Sequence, residues 1–546
     1  MKQIWSNTSA RMRMRHHPVI QAVLASAMGL SGHAMAADTL ETACRTTEEC
    51  RAQVAKIQGT LKGESTSAQA RQQDVFYWFG RINMASTVLT VEQGIIPPEQ
   101  AGRIARGVAH SIQQADQPNG KRPTDVLQVE KIISDAVGAE ATLIHTGRSR
   151  QDIHATLNAA QLRLEILDFA DALNAVRTRL LEQAGKHMET FVPAYTNGVQ
   201  AMPISYAHYL LAFADSFARD AARLREAYGR VNLSAMGTAV LANSSWSINR
   251  PRLAALLGFD GLVVNSLDAG QISTYDIPVE ASNIAGSTAL RVGAFMQDVH
   301  VQYHQTRPWL LLASGNTYTS SAMPQKANPG MIQNTRAKAS DVVASAQMVV
   351  LRAHNVTPGM IDYKNTWNKD HARTFVQGVE MLGQFAGVLD ALRIDPARAL
   401  EELESDWTTS MELAETLQRD HHIPFRVGHH FASDIVVYAR NRNIRPKEFP
   451  YAQAVRIYAE AGQKYQLRDS RLPLSEASFR QTLSPAHMVR TRTGIGGPQP
   501  AEVQRMLTLA QETLGQDRAW TQERRAKLSA AEAQLNSAFL AIAARP

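Results

Sequence analysis

The chain has 546 residues, of which 44 % are hydrophobic and 20 % are charged, so it is long enough for several domains and too apolar to be disordered throughout. Its net charge of +7 falls to +3 without the first 36 residues, which carry four bases and no acid. Because no long run of lysine and arginine remains, the composition disfavours a nucleic-acid-binding protein. Aromatic residues make up only 6 % of the chain, which favours helix over sheet.

The N-terminal segment has the three parts of a secretory signal peptide. A basic stretch over Arg11–His17 precedes an apolar run over Val19–Leu30, and small residues stand at Ala34 and Ala36. The apolar run is too short to span a bilayer. We therefore predict cleavage between Ala36 and Ala37 and export to the periplasm, with no membrane attachment after processing. The alternative is a disordered cytosolic extension.

Two cysteines, Cys44 and Cys50, follow the predicted cleavage point. An oxidising compartment would allow them to pair and close a small loop. Because pairing depends on geometry, the sequence equally allows two free thiols. The absence of a Cys-x-x-Cys motif excludes a zinc ribbon and a dithiol redox motif.

Long stretches without proline or glycine predict long helices. Neither residue occurs between Arg148 and Ala184, and apolar residues recur there at spacings of four and three, as in an amphipathic helix. Similar segments follow Pro203 and Pro329, and another lies between Pro278 and Pro308. Alternating strand patterns are nearly absent. Long helices with such stripes pack nearly antiparallel, so we predict an all-α protein built on a long central helix bundle.

We divide the chain into four parts. A signal peptide is followed by an N-terminal helical domain, a central domain that holds the long bundle helices, and a C-terminal helical domain. The predicted limits of these parts are 1–36, 37–150, 151–395 and 396–546, respectively.

The stretch with the most chemical information is TSSAMPQKANPG, Thr319 to Gly330, a polar loop before a long helix. A serine hydroxyl is a poor base, but a nearby cation and backbone N–H groups can stabilise its alkoxide. Lys326 can supply the positive charge and can stabilise a developing carboxylate dianion, while Asn328 can donate a hydrogen bond to a carboxylate. Composition alone leaves open an ordinary polar surface loop.

This stretch resembles the signature loop G-S-S-x-M-x-x-K-x-N-P of the fumarase/aspartase superfamily. Four further segments are similar to segments of its argininosuccinate lyase branch, and all of them occur in the family's order. They are HTGRSRQD (His145 to Asp152), YTNGVQAMPISYAHYLLA (Tyr195 to Ala212), NSLDA (Asn265 to Ala269) and RTGIGGPQPAEV (Arg492 to Val503).

The resemblance implies an all-α fold with a central bundle and helical N- and C-terminal domains. It also implies a homotetramer in which three subunits build each active site. The implied reaction is a β-elimination that cleaves a succinyl C–N or C–O bond and releases fumarate. Its substrate would be a small dicarboxylate or succinyl-amine. The chemistry needs a site that stabilises an anion, so the resemblance implies no cofactor and no metal.

The resemblance also assigns roles to individual residues. Ser320, six positions before the motif lysine, matches the catalytic serine, and Lys326 and Asn328 would hold the carboxylate that gains negative charge. Arg150 suits carboxylate binding because its guanidinium is always charged and bidentate, although a surface salt bridge is the alternative. The residues that match substrate-binding positions are Ser149, Arg150, Gln151, Thr196, Asn197, Ser321 and Tyr363.

Two departures from the family pattern concern proton transfer. The family has a histidine that pairs with a glutamate, and Asn197 and Gln333 stand at those positions. Two amides can hydrogen-bond each other, but neither can carry a proton near neutral pH. His154, one helical turn after Arg150, is a possible acid. The alternative for His154 is a bundle histidine bonded to a neighbour.

We therefore predict an exported C–N lyase that acts on an N-substituted aspartate of the argininosuccinate type and releases fumarate. A catalytically impaired homologue that serves as an exported binding or structural protein is one alternative. A C–O lyase or a cycloisomerase of the same superfamily is another. The motif residues do not define the amine leaving group or the proton donor.

Overall fold

Helices dominate the fold. The computed structural model describes residue 44 and residues 46–66 and 74–546, with residues 64–66 and 361–369 described by their backbone alone. The predominance of helices over short strands confirms the predicted all-α fold class. The helices are α1 (Thr47–Thr66), α2 (Val75–Glu92), α3 (Pro98–Ala115), α4 (Val126–Val137), α5 (Arg150–Lys186), α6 (Tyr206–Val231), α7 (Arg250–Leu256), α8 (Ser266–Gln271), α9 (Ser273–Gln302), α10 (Gly330–Ala353), α11 (Ile361–Ala391), α12 (Pro396–Ser405), α13 (Ser410–His421), α14 (Phe425–Arg440), α15 (Tyr451–Lys464), α16 (Glu476–Thr482), α17 (Pro485–Thr491) and α18 (Pro500–Ala543).

The strands are short and form two-stranded pairs in the described part of the chain. Three pairs are antiparallel and one is parallel. The antiparallel pairs are β1 (Phe191–Thr196) with β2 (Val199–Ser205), β5 (Leu310–Leu312) with β8 (Leu392–Ile394), and β6 (Tyr318–Thr319) with β7 (Ala327–Asn328); the parallel pair is β3 (Leu233–Ser234) with β4 (Gly261–Leu262). Two 3-10 helices cover Ala139–His145 and Pro446–Glu448.

The helix α5 begins and ends close to where the sequence predicts, whereas α9 begins five residues before Pro278, which lies in its second turn and was predicted to precede it. A capping box starts α5: the Ser149 hydroxyl accepts from the Gln151 backbone N–H, and the Asp152 carboxylate accepts from the Ser149 N–H at 2.6 Å. Such reciprocal bonds satisfy N–H groups that have no partner inside the helix. The helix then runs for 37 residues. Its apolar stripe packs with α6, α9, α10 and α11 around a central core, whose members include Leu167, Phe217, Phe295, Val342 and Phe385.

Two smaller cores flank the central one. The N-terminal core joins α2, α3 and α4 to the first turns of α5, through residues such as Phe76, Ile104 and Leu157. The C-terminal core is built by α13 to α16, through residues such as Phe431 and Tyr458. Each core buries apolar side chains from at least three helices, which is the main stabilising contribution of such packing.

The last helix, α18, connects two of these cores. It is 44 residues long, or about 66 Å at the usual rise per residue. Leu507 and Leu514 near its start pack into the central core, and Leu535 and Phe539 near its end pack into the N-terminal core. The domain limits predicted from the sequence remain a prediction, and the cores group α18 with the first two domains rather than with the C-terminal core.

A disulfide bond joins Cys44, which lies just before α1, to Cys50, which lies inside α1. This selects one of the two states that the sequence left open. The predicted signal peptide lies outside the described residues. Among the helices that are described, none has both the length and the apolar character needed to cross a membrane.

A buried ion pair fastens α18 to the bundle. Arg177 Nη1 of α5 lies 2.6 Å from Asp517 Oδ2 of α18, and the two side chains are 2 % and 3 % exposed. Arg225 of α6 approaches the other carboxylate oxygen at 3.3 Å. Removing one partner from such a pair leaves an uncompensated charge in the interior, which is far less favourable than the intact pair.

We therefore expect Asp517→Ala to destabilise the protein by about 3–5 kcal/mol, because the Arg177 guanidinium stays buried without its carboxylate. Urea and thermal unfolding of the variant would measure the loss. The control is Asp341→Ala, because that carboxylate is 57 % exposed and 4.0 Å from Lys338. Equal, small effects of both substitutions would contradict the stabilising role of the buried pair.

Candidate active site

The signature loop folds as a narrow hairpin. Its two ends pair as β6 and β7, with Thr319 opposite Ala327. Ser320 N donates to the Lys326 carbonyl at 3.3 Å, and Asn328 Nδ2 donates to the Tyr318 carbonyl at 3.1 Å. These bonds bring Ser320, Lys326 and Asn328, the three predicted catalytic residues, onto one hairpin.

Two backbone N–H groups point at the Ser320 hydroxyl. Ala322 N lies 3.3 Å from Ser320 Oγ, and Met323 N lies 3.2 Å from it. Both groups are donors, so they stabilise negative charge on the serine oxygen and lower the free energy of its alkoxide. The role of Ser320 as a base remains a prediction, and these two contacts are compatible with it.

The rest of the loop is open to solvent in the single chain. Ser321 and Lys326 are exposed, whereas Ser320 and Asn328 are half-buried. A glycine ends the loop because the Tyr318 ring occupies the space of a side chain: a Cβ added at Gly330 would meet the ring at 3.0 Å. This close approach places the hairpin against the N-terminus of α10, whose dipole favours negative charge nearby.

The second predicted group stands at the start of α5. The Ser149 hydroxyl donates to the Ala239 carbonyl at 2.9 Å and also caps the helix. Gln151 is buried, and its Nε2 donates to the Gly270 carbonyl at 3.0 Å. Arg150 has a side chain that is 59 % exposed and lies 3.4 Å from Asp125. Of the three predicted substrate-binding residues in this group, Arg150 has the most exposed side chain and the most freedom to reach a ligand.

Buried charged groups hold the segment before α5 in place. Arg148 donates to Asn83 Oδ1 at 2.8 Å and to Ser86 Oγ at 2.7 Å. Burial, together with the Arg148 guanidinium, lowers the pKa of His145 to about 3. His145 Nε2 lies 2.9 Å from Glu130 Oε2 and 3.1 Å from Arg148 Nη2. Burial also raises the pKa of Asp152 to about 7, although two backbone N–H groups oppose this rise.

The third predicted group, Thr196 and Asn197, stands at the tip of the β1–β2 hairpin and is exposed. Asn197 and Gly198 have φ angles of 52° and 77°. Two successive positive φ angles define a type I′ turn, for which Asn-Gly is the preferred pair. Asn197 thus has a conformational role in this chain. The Asn-Gly dipeptide between two apolar runs is the sequence signal that predicts this turn.

Gln333, the second of the two amides that differ from the family pattern, has a partner other than Asn197. Gln333 Nε2 lies 2.8 Å from His300 Nε2 in the first turn of α10. Burial lowers the pKa of His300, and His304 and Arg336 lower it further, so the neutral ring accepts from the amide. The bond between Asn197 and Gln333 remains a prediction. His300 was missed because nothing in its spacing marks it.

Two predicted residues stand apart from these groups. His154 packs edge-to-face on Phe79, with ring centroids 5.6 Å apart, and is half-buried. Burial lowers its pKa, and Arg150 lowers it further, which agrees with the bundle-histidine alternative. Tyr363 lies in the first turn of α11, where only the backbone is described.

The predicted residues occupy two distant ends of the bundle. Gln151 contacts Gly270 just before α9, and Gly359 N, shortly before Tyr363, donates to Gln271 at 2.5 Å. The loop of Ser320 follows the other end of α9, a helix of 30 residues and about 45 Å. The hairpin of Thr196 lies at the same far end, because it follows the last turn of α5. One chain therefore does not bring Arg150 next to Ser320.

Comparison with known proteins agrees with the fold and the motifs. The family described as Lyase matches residues 104–344, and the family described as Argininosuccinate lyase C-terminal matches residues 407–490. Argininosuccinate lyase of Methanocaldococcus jannaschii is 29 % identical over 79 % of this chain and 87 % of its own length. The enzyme of the same name from Geobacillus thermodenitrificans is 29 % identical over 79 % of this chain and 92 % of its own length.

Solved structures of lyases also have folds similar to that of this chain. EDDS lyase in complex with formate has a TM-score of 0.77 and 25 % identity, covering 86 % of this chain and 92 % of that one. A fumarate lyase from Mesorhizobium sp. BNC1 has a TM-score of 0.60 at 17 % identity, covering 80 % of this chain and 97 % of that one, and so shares the fold. The fold and these matches are those of a helical protein that is similar to lyases. They support the resemblance to the fumarase/aspartase superfamily.

The buried His145 ring makes stability depend on pH. Its folded pKa of about 3 lies below the value of 6.5 for an unperturbed histidine, so the folded state binds fewer protons between these values. This contribution to stability is complete above about pH 6.5 and is lost as the pH falls. We expect His145→Gln to reduce the fall in melting temperature between about pH 7.5 and 5.

Melting curves across this pH range would check the expectation, with the exposed His429→Gln as the control. A wild-type protein and a His145→Gln variant with parallel pH profiles would contradict it.

Proposed function

We propose that this protein is a fumarate-releasing C–N lyase that acts on an N-substituted aspartate or a related succinyl-amine. The observation that carries the proposal is the pair of backbone N–H groups on Ser320 Oγ, in a hairpin that also holds Lys326 and Asn328. The names of the relatives, argininosuccinate lyase and EDDS lyase, support the reaction class. A variant of EDDS lyase was solved with bound fumarate, and its fold is shared.

The proposed mechanism follows from the loop. The Ser320 alkoxide removes a proton from Cβ of the succinyl group, and the electron pair moves toward the adjacent carboxylate. Lys326 and Asn328 stabilise that carboxylate as it gains charge. The Cα–N bond then breaks, the electron pair leaves with the nitrogen, and an acid protonates the amine. Arg150 and Thr196 would hold the remaining carboxylate.

The site requires more than one chain. Arg150 and Tyr363 lie at one end of the bundle and Ser320 and Thr196 at the other, separated by about 45 Å of α9. A functional site therefore combines the loop of one subunit with the α5 end of another. We propose the homotetramer of the superfamily, with sites shared between subunits.

The proposed location is the periplasm. The three-part N-terminal pattern that ends at Ala36 supports export. The disulfide between Cys44 and Cys50 supports it as well, because disulfides persist in oxidising compartments. An exported lyase would meet external succinyl-amines, so a catabolic or scavenging role fits this location.

The two amide replacements favour a second candidate function. With Asn197 in a turn and Gln333 beside His300, no carboxylate–histidine pair stands at the positions that the family uses. A catalytically impaired binding or structural protein, or a C–O lyase or cycloisomerase, would also keep the fold.

Fumarate release separates these functions. We expect the mature chain from Ala37 to release fumarate from at least one member of a panel that contains argininosuccinate, adenylosuccinate, aspartate, malate and N-alkyl aspartates. Ser320→Ala should lower the rate by about 10²–10⁴-fold, because it removes the base. Absorbance of fumarate measures the rate. The control is Ser340→Ala, whose hydroxyl bonds only its own helix, at the Arg336 carbonyl.

A folded tetramer that releases no fumarate from any of these compounds would contradict the lyase and favour the binding protein. Fumarate from malate alone would favour the C–O lyase. Rates that fall equally in Ser320→Ala and Ser340→Ala would remove the argument from the loop geometry.

His300 is the titratable group that contacts the first turn of α10 through Gln333, and we propose that it positions this turn. Protonating His300 removes the acceptor of the Gln333 amide, so fumarate release should fall on the acid side. We expect His300→Gln to lower kcat by up to about 100-fold with little change in KM, and to flatten the acid limb of the pH–rate profile. The exposed His429→Gln, on a helix of the C-terminal core, serves as the control.

A further inference from the structure

The chain contains two Asn-Gly dipeptides, and the fold places them in different surroundings. They are Asn119-Gly120, after α3, and Asn197-Gly198, at the tip of the β1–β2 hairpin. Both asparagines are exposed, and their φ angles are 66° and 52°. Asparagine loses its side-chain amide most readily before glycine, because glycine has no Cβ to shield its own backbone nitrogen. The two dipeptides therefore form a matched comparison within one molecule.

The glycine nitrogen, which is the reacting atom, is hydrogen-bonded in one dipeptide and not in the other. Gly120 N donates to the Gln117 carbonyl at 2.8 Å. Among the residues that the structure describes, none accepts a hydrogen bond from Gly198 N. A nitrogen that is already bonded must lose its acceptor before it can attack. The net contribution of one such bond corresponds to a factor of about 2 to 10 in a rate.

The space around the two glycines differs in the same direction. A Cβ added at Gly120 would meet the carbonyl oxygens of Gln114 and Ala115 at 2.5 Å, so this backbone packs closely against the end of α3. A Cβ added at Gly198 would meet no described atom within 4 Å. Attack on the side chain requires rotation about the bond between the asparagine Cα and its carbonyl carbon. The packing at Gly120 hinders this rotation, whereas the open hairpin tip at Gly198 allows it.

We propose that Asn197 is a site of spontaneous deamidation, which places a carboxylate beside Thr196. Gly198 N attacks Asn197 Cγ, the bond between Cγ and Nδ2 breaks, and ammonia leaves with the proton of the Gly198 N–H. Water then opens the resulting succinimide ring at one of its two C–N bonds. Breaking the bond at Cγ gives aspartate, and breaking the bond at the backbone carbonyl carbon gives isoaspartate. The net reaction converts an amide and a water into a carboxylate and ammonia.

Both products change a predicted substrate-binding position. Thr196 and position 197 would lie close to a substrate carboxylate, so this consequence rests on the proposed function. Two like charges about 4 Å apart in water repel each other enough to weaken an affinity by about 5-fold. Isoaspartate also adds a methylene group to the backbone, which disrupts the two-residue turn between Thr196 and Val199. Deamidation would therefore weaken substrate binding as the protein ages.

Peptide mapping by mass spectrometry of the folded, full mature protein tests the modification. During incubation in mildly alkaline buffer, the peptide with Asn197 should become one mass unit heavier about 2- to 10-fold faster than the peptide with Asn119. In concentrated urea both dipeptides lose their surroundings, so the two rates should become equal. Equal rates in the folded protein, or a ratio that stays the same in urea, would overturn the proposal.

The variant Asn197→Asp reproduces the aspartate product and tests the consequence. With any substrate that releases fumarate, it should raise KM by about 5-fold, whereas Asn119→Asp should leave KM unchanged. Equal KM values for the two variants would overturn the proposed effect on substrate binding. The mass measurement needs no activity, so it still tests the modification if no substrate releases fumarate.

Discussion

The length of the bundle helices determines how the candidate site can be assembled. A helix of 37 residues spans about 55 Å, which is far beyond the reach of any side chain. Arg150 stands at its first residue, and the Thr196 hairpin follows its last turn. Because α5 has neither proline nor glycine in its interior until Gly185, it cannot fold back to bring these residues together. The separation therefore follows from the primary structure, and it is the reason why the proposed site combines two chains.

The signature loop shows how a polar surface segment obtains chemical function. By composition alone, Thr319–Gly330 could be an ordinary polar surface loop. Its β6–β7 pairing fixes the ends, and the turn between them aims two N–H groups at one hydroxyl. A serine in a flexible loop would exchange bonds with mobile water, whereas the two backbone donors are held in place before any charge develops. The proposed role of this segment in proton abstraction rests on that backbone geometry as well as on Ser320 and Lys326.

Much of the fold could be predicted from sequence, because long stretches without proline or glycine mark the helix interiors. The stretch between Gly147 and Gly185 contains α5 almost to the residue. The path of α18 could not be predicted in this way. Its apolar residues serve two different cores, so no single periodic stripe shows which helices it contacts. Contacts such as Arg177 with Asp517 join positions 340 residues apart, and one sequence does not encode them locally.

The candidate site shows the same division between local and distant information. Motif spacing placed Ser320, Lys326 and Asn328 correctly on one loop, because they are neighbours in the chain. Motif spacing also suggested that Asn197 and Gln333 replace a proton-transfer pair, but it carried no information on their local surroundings. The positive φ at Asn197 belongs to the two-residue turn that it forms with Gly198, and the contact between Gln333 and His300 crosses from α10 to α9.

These surroundings change what the two amides mean for catalysis. A histidine at position 197 would need the left-handed backbone conformation that asparagine tolerates better. The turn therefore favours the amide regardless of proton transfer. A glutamate at position 333 would stand beside a His300 ring that is neutral now, and would raise its pKa by attraction. With an amide at position 333, the His300 ring stays neutral. His300, rather than a carboxylate, is then the titratable group in contact with this turn. Neither amide can carry a proton, whereas His300 is titratable and contacts the first turn of α10 through Gln333.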